Sequence, residues 1–162
     1  TLENLALTKT NALFTNTILS VALLKDNANI NQVQDNLIDA GPLAALVSGL
    51  AEIKTNWLFA LAVDMPFVRE SLIKNLANER APFEKNFQAI IPIANQHEQV
   101  LCAFYAKSAL SELSFALAKG ERSVRRAISS LNVKYIEIAA PEQDFFDLDT
   151  PQDLLQARSF AP

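Results

Sequence analysis

The sequence predicts a three-layer α/β/α fold, a mostly parallel sheet covered by helices, in a single domain. Three observations carry that expectation. Trp57 to Val63 is an unbroken run of uncharged, mostly large residues that ends at a carboxylate, Asp64, and then a proline, Pro66. A run of strand length without alternation belongs to a strand buried on both faces, as in a parallel sheet between helices. Strand-like runs alternate with helix-period stretches along the chain, the pattern of an α/β fold. Finally, 162 residues, 50% of them hydrophobic, make one ordinary domain with enough apolar surface for a full core.

Leu2, Leu5 and Leu7, spaced by polar residues, read as the tail of an amphipathic helix that begins upstream. Residues 11–16 read as a short strand ending in Asn16, residues 19–25 as helix or turn, and residues 33–35 as a weak extended segment. From Gly41 the pattern changes. Leu43, Leu46, Val47 and Leu50 recur at i, i+3, i+4 and i+7, one face of a helix started by Pro42. The buried strand follows, with Asp64 at its carboxyl end, and then a helix over 66–77 with Phe67, Leu72, Ile73 and Leu76 on its apolar face. Residues 88–94 and 99–105 are extended runs joined by a polar turn. They predict an antiparallel excursion at the sheet edge, where Pro92 is easiest to place. Residues 108–118 are helical, closed by Gly120 in a C-cap position. Residues 121–131 form another helix, rich in Arg122, Arg125 and Arg126, and residues 133–139 alternate as a strand. After an aromatic and acidic run, Thr150 caps the last helix, with Pro151 at its first position and Asp153 at its third.

The net charge of −4 gives no bulk attraction to nucleic acid or an anionic membrane. No apolar run is long enough to span a bilayer and no basic-then-apolar leader is present, so a cytoplasmic protein is expected. One cysteine, Cys102, and one histidine, His97, exclude an intramolecular disulfide and any cage of thiolates or imidazoles. A metal would need oxygen ligands, which points to Mg²⁺ or a similar hard cation. With glycine only at Gly41, Gly49 and Gly120, this sequence has no glycine-rich phosphate loop.

Three sets of carboxylates each lie just past an apolar run: Asp35 with Asp39, Asp64, and Asp147 with Asp149. A parallel sheet would gather such positions on one rim, where they suit Mg²⁺ and phosphate chemistry. The alternative for Asp64 is a helix cap ahead of Pro66, and for Asp149 a cap or solvated residue ahead of Thr150. His97 reads as an exposed turn residue and Cys102 as a small core residue. Arg122, Arg125 and Arg126 are either a solvated helix face or, with the 119–123 turn, an anion site built from backbone N–H groups and guanidinium forks.

Taken together, the chain resembles the molybdenum cofactor guanylyltransferases of the nucleotidyltransferase superfamily. Asp35-Asn36-Leu37-Ile38-Asp39-Ala40-Gly41-Pro42-Leu43-Ala44-Ala45 is similar to that family's aspartate followed by Gly-Pro-Leu-Ala-Gly, and Val63-Asp64-Met65-Pro66 to its Cys-Asp-Met-Pro. Residues 99–105 and Gly120-Glu121-Arg122-Ser123-Val124-Arg125 follow two further stretches, and Phe146-Asp147-Leu148-Asp149-Thr150-Pro151 its closing Phe-x-x-Asn-Thr-Pro. The joint order of these motifs is far more specific than any one of them.

The resemblance implies a Rossmann-like nucleotidyltransferase fold and transfer of GMP from GTP to molybdopterin, with release of pyrophosphate. Asp64 would hold Mg²⁺, Asp35 and Asn16 would bind nucleotide, and Gly41 and Leu43 would lie beside the guanine. Arg122 and Asp149 complete the implied binding set. The implied partners are GTP, molybdopterin, and other proteins of molybdenum cofactor biosynthesis or molybdoenzyme chaperones. The family's opening strand and its Gly-Gly-x-Ser-x-Arg-Met-Gly loop, which wraps the triphosphate, have no counterpart here. An upstream segment is therefore expected, and residues 1–162 alone, as an incomplete domain, are expected to be inactive. Asp147 and Asp149 stand where asparagines are frequent, so cytidylyl transfer, another nucleotidyl transfer on this fold, and a non-catalytic cofactor carrier stay as alternatives.

Overall fold

The computed structural model describes residues 1–21, 31–34, 41–80, 86–139, 142–146, 148, 150, 152–153 and 155, leaving the side chains of Glu142 and Gln143 aside. Helix α1 (Leu2–Leu13) opens the chain and is followed by strands β1 (Ile18–Val21) and β2 (Asn31–Gln34). Then come α2 (Gly41–Glu52), β3 (Trp57–Leu61), α3 (Glu70–Arg80), β4 (Ala89–Ala94), β5 (His97–Glu98) and β6 (Cys102–Ala106). Helices α4 (Leu110–Ala118) and α5 (Val124–Ala127) and strand β7 (Val133–Glu137) complete the main elements.

Strands β1 and β2 pair in parallel as a two-stranded sheet. The other five strands form a mixed sheet in which β6 runs antiparallel between β3 and β4, β5 hairpins onto β4, and β7 joins β4 in parallel. Side chains of a strand alternate between faces. Ala89, Ile91, Ala103 and Tyr105 accordingly meet Leu43, Leu46 and Leu50 of α2 and Leu113 of α4, whereas Ile90, Cys102, Phe104 and Ala106 meet Leu72, Ile73 and Leu76 of α3. Both faces of β4 and β6 are thus covered by helices, which is why neither strand alternates in polarity. Helix α2 approaches β3 closely at Gly49, where an added Cβ would lie 3.1 Å from Leu58 Cδ1.

The α/β class with helices on both faces is the fold expected from the sequence, but several elements differ. Residues 11–13 close α1 instead of starting a strand, and β1 occupies part of the 19–25 stretch assigned to helix or turn. Within α1 the Thr8 and Thr10 hydroxyls donate to the Asn4 and Ala6 carbonyls one turn back, which satisfies them without leaving the helix, and Phe14 ends it in extended geometry. Helix α3 begins at Glu70, not Pro66: residues 66–69 are non-helical, and the Pro66 and Val68 carbonyls are taken by Lys9 of α1. The 121–131 helix is reduced to α5 and one 3₁₀ turn, Ile128–Ser130.

The antiparallel strand is internal rather than an edge, and so is Pro92. In β4, Pro92 pairs with Ile136 of β7 on one side, and its carbonyl accepts the Gln99 N–H on the other. That second side is where β5 has ended and β6 has not begun, so no ladder bond is lost to the missing proline N–H. Asn95 and Gln96, both with positive φ (51° and 64°), make the two-residue turn between β4 and β5.

Candidate functional site

Asp64 lies in the turn beyond the carboxyl end of β3, a strand continued by the Ala62 N–H donating to the Leu101 carbonyl at 2.9 Å. The Met65 N–H closes the turn onto the Ala62 carbonyl at 3.3 Å. From across the molecule the Leu148 N–H donates to the Asp64 carbonyl at 3.0 Å. The residue is only half-buried, yet its Oδ1 is fully enclosed and has no hydrogen-bond partner among the described residues. A helix cap would show that oxygen accepting a backbone N–H of the next helix, and α3 starts six residues later. An enclosed carboxylate oxygen without a donor is the kind of ligand a hard cation takes, commonly as one or two carboxylates with substrate phosphates completing the shell. Among the described residues no group of three potential ligands accompanies it. Asp64 therefore fits one protein ligand of such an ion.

The segment after Asp64 is gripped from two sides. Lys9 of α1 places its Nζ on the Pro66 carbonyl at 2.7 Å and also on the Val68 carbonyl. Burial pushes this ammonium below the usual lysine range, against the opposing pull of the Cys102 thiol, Asp144 and Glu70. Arg69 grips Asp144 at two points, with Nε–Oδ1 at 2.8 Å and Nη2–Oδ2 at 3.0 Å. Asp144 is buried, with its side chain 2% exposed against 55% for Arg69. Sequence reading missed Lys9, Arg69 and Asp144, because the grips join residues 57 and 75 positions apart and leave no local pattern.

Two motifs distant in sequence meet at Gly41. A Cβ there would stand 3.5 Å from the Arg122 carbonyl, and Gly41 itself holds φ +71°. Leu43 is fully buried in the core, so its side chain packs on the sheet. Arg122 is exposed and donates from Nη1 to the Leu117 and Glu121 carbonyls. Of the two alternatives for 119–123, the anion site of free N–H groups is not formed, because those groups are taken within the chain. Glu121 turns its own carboxylate onto the Arg122 and Ser123 N–H groups at 2.8 and 2.7 Å, and pairs with Arg126 at 3.1 Å. Those hydrogen bonds, from Ser123 and then Arg122, hold its carboxyl below the usual range.

Asn16 is exposed ahead of β1, not at the carboxyl end of a strand as expected. Asp35, Asp39, Asp147 and Asp149 lie outside the described residues. His97 is exposed and Cys102 buried, as the sequence suggests. Thr150 and Asp153 form the expected reciprocal cap, Thr150 N–H to Asp153 Oδ2 at 2.7 Å and Asp153 N–H to Thr150 Oγ1 at 3.2 Å. Among the described residues no helix is long and apolar enough to cross a membrane.

Comparison with known proteins bears on the family and the fold. The profile of the MobA-like NTP transferase domain matches residues 7–135. A Nostoc protein named as a probable molybdenum cofactor guanylyltransferase is 30% identical over 114 residues, 70% of this chain and 55% of that protein. A Vibrio cholerae molybdenum cofactor guanylyltransferase is 27% identical over 146 residues, 84% of this chain and 70% of that one. The chain thus spans little more than half of the Nostoc relative it matches. Among solved structures, molybdopterin-guanine dinucleotide biosynthesis protein A from Archaeoglobus fulgidus superposes with a TM-score of 0.82 at 25% identity, covering 98% of this chain and 84% of that one. A 2-C-methyl-D-erythritol 4-phosphate cytidylyltransferase from Thermus thermophilus shares the fold at TM-score 0.75 and 15% identity, covering 99% of this chain and 88% of that one.

Proposed function

We propose that this chain, which belongs to the MobA-like NTP transferase domain family, is the greater part of an enzyme that transfers GMP from GTP to molybdopterin and releases pyrophosphate. The observation that carries the reading is Asp64, whose enclosed, unpartnered Oδ1 stands just past the carboxyl end of an apolar strand in an α/β sheet. In such folds, ligands collect outside the strand ends. The names of the Nostoc, Vibrio and Archaeoglobus proteins support guanylyl transfer as the reaction and molybdopterin as the acceptor.

In this reading an oxygen of the molybdopterin phosphate attacks the α-phosphorus of GTP. The new P–O bond forms as the α–β bridging bond breaks, and pyrophosphate leaves with the electron pair. Asp64 would hold Mg²⁺, and the ion when bound would supply positive charge that offsets the negative charge building on phosphate oxygens in the transition state. Gly41, at the amino end of α2, sits beside the guanine with Arg122 next to it, while Leu43, buried in the core, anchors that end of the helix to the sheet. Asn16, Asp35 and Asp149 contribute to the same nucleotide site. No protein nucleophile is required, since the reaction is an in-line displacement governed by position and charge.

The test is turnover by the full-length protein supplied with molybdopterin, Mg²⁺ and either GTP or CTP. GTP consumption with pyrophosphate release is the expected outcome, and use of CTP alone would reassign the enzyme to cytidylyl transfer. Asp64→Asn should lower turnover by at least a hundredfold, on the order of one lost charge-stabilising contact, while the circular dichroism spectrum is unchanged. Near-normal turnover of that variant would remove Asp64 from the site.

A further inference from the structure

Among the described residues no hydrogen bond to Oδ1 fixes the aim of the Asp64 side chain, so its direction is set by the backbone that carries it. That backbone is held at three points outside its own turn. Leu148 caps the Asp64 carbonyl, Lys9 draws in the Pro66 and Val68 carbonyls, and Arg69 is locked to Asp144. Asp144 and Leu148, four positions apart in sequence, thus both contact the stretch that carries Asp64. A two-point guanidinium–carboxylate contact constrains angle as well as distance.

For stability alone this arrangement is a poor choice. Asp144 is taken almost wholly out of water while its partner stays 55% exposed. The hydration a buried carboxylate gives up can match what such a contact returns, and replacing such a pair by an apolar side chain of similar volume is often neutral or stabilising. What the ion pair and the lysine add is direction.

We propose that Lys9 and the Arg69–Asp144 pair are positioning residues that set the affinity of Asp64 for a divalent cation. They do so by holding residues 64–69 between α1 and the segment that carries Leu148. The inference rests on the reading of Asp64 as a cation ligand. It assigns to the family site a support that reaches it from the opposite ends of the chain.

The experiment measures Mn²⁺ affinity by electron paramagnetic resonance in the full-length protein with GTP present, alongside the melting temperature of each variant. Lys9→Met, Asp144→Leu and Arg69→Lys should each weaken Mn²⁺ binding roughly tenfold, the scale of losing an outer support of a metal ligand. Asp144→Leu should do so without a fall in melting temperature. Lys9→Arg keeps two donors for the two carbonyls and should restore most of the affinity lost in Lys9→Met. Arg69 is half in water, so Arg69→Lys folds and keeps the test open if the buried substitutions do not. Wild-type Mn²⁺ affinity in Arg69→Lys and Lys9→Met would overturn the inference. Asp64→Asn separates the two levels. If it loses Mn²⁺ while the positioning variants keep it, only the inference fails; if it too binds normally, the reading of Asp64 fails with it.

Discussion

Cys102 shows what burial does to one titratable group. It is enclosed in β6 between Ile90 and the α3 side of the core, and burial pushes its thiol from an ordinary 9.0 up to about 12, with Asp144 adding to the rise. The folded protein therefore holds that proton more tightly than the unfolded chain does. The stabilising contribution is complete below about pH 9 and is lost as pH rises from there toward 12. Tyr105, buried with its hydroxyl donating to the Val100 carbonyl at 2.7 Å, is shifted upward too, mainly by burial, and adds to the same alkaline loss. Denaturant unfolding across this range should show stability falling with pH. In Cys102→Ala the fall should be shallower but still present. The native thiol should also resist thiol reagents at neutral pH and react only on unfolding.

Among the elements, the turn between α4 and α5 has the most explicit design. Gly120 ends α4 at φ +91°, its N–H on the Leu117 carbonyl at 3.0 Å and the Glu121 N–H on the Ala116 carbonyl at 3.0 Å. These are the two bonds of a Schellman closure, which favours glycine because a left-handed residue carries no Cβ strain there. A Cβ at this position would meet nothing within 4 Å. Gly120→Ala should therefore cost about 1 kcal/mol from backbone strain alone, measurable by equilibrium unfolding. The next residue, Glu121, folds back over the start of α5, and Ser123 Oγ accepts the Arg126 N–H at 3.3 Å as its cap. With four residues in α5, those caps carry much of its definition.

At the scale of the molecule, stability should be uneven. Strands β4 and β6 lie inside the five-stranded sheet with helices on both faces, whereas β1 and β2 stand as a pair that no described strand extends. Two strands alone are marginal, and local opening needs least energy where few buried contacts oppose it. Hydrogen exchange should find the amides of β4 and β6 protected to near the global unfolding limit. Those of β1 and β2 should exchange at least tenfold faster. Equal protection would mean that helix α2, which packs on both sheets, ties them into one cooperative unit.

By itself the sequence determined the class of fold and the position of Asp64 just past the end of an apolar strand. Both depend on short-range facts: an apolar run of strand length ending in Asp64, the period of α2, the Thr150–Asp153 cap, and the glycine that closes α4. Where apolar contrast is low, the end of α1 and the position of β1 were misplaced, because propensity over 11–25 does not separate helix from strand there. Pro92 fell in an interior strand because a gap between β5 and β6 faces its missing N–H, and no local residue announces such a gap. Only the tertiary structure decided how Asp64 is held. Lys9, Arg69 and Asp144 act through contacts between opposite ends of the chain, and ion pairs of that separation are set by packing, which has no period along the sequence.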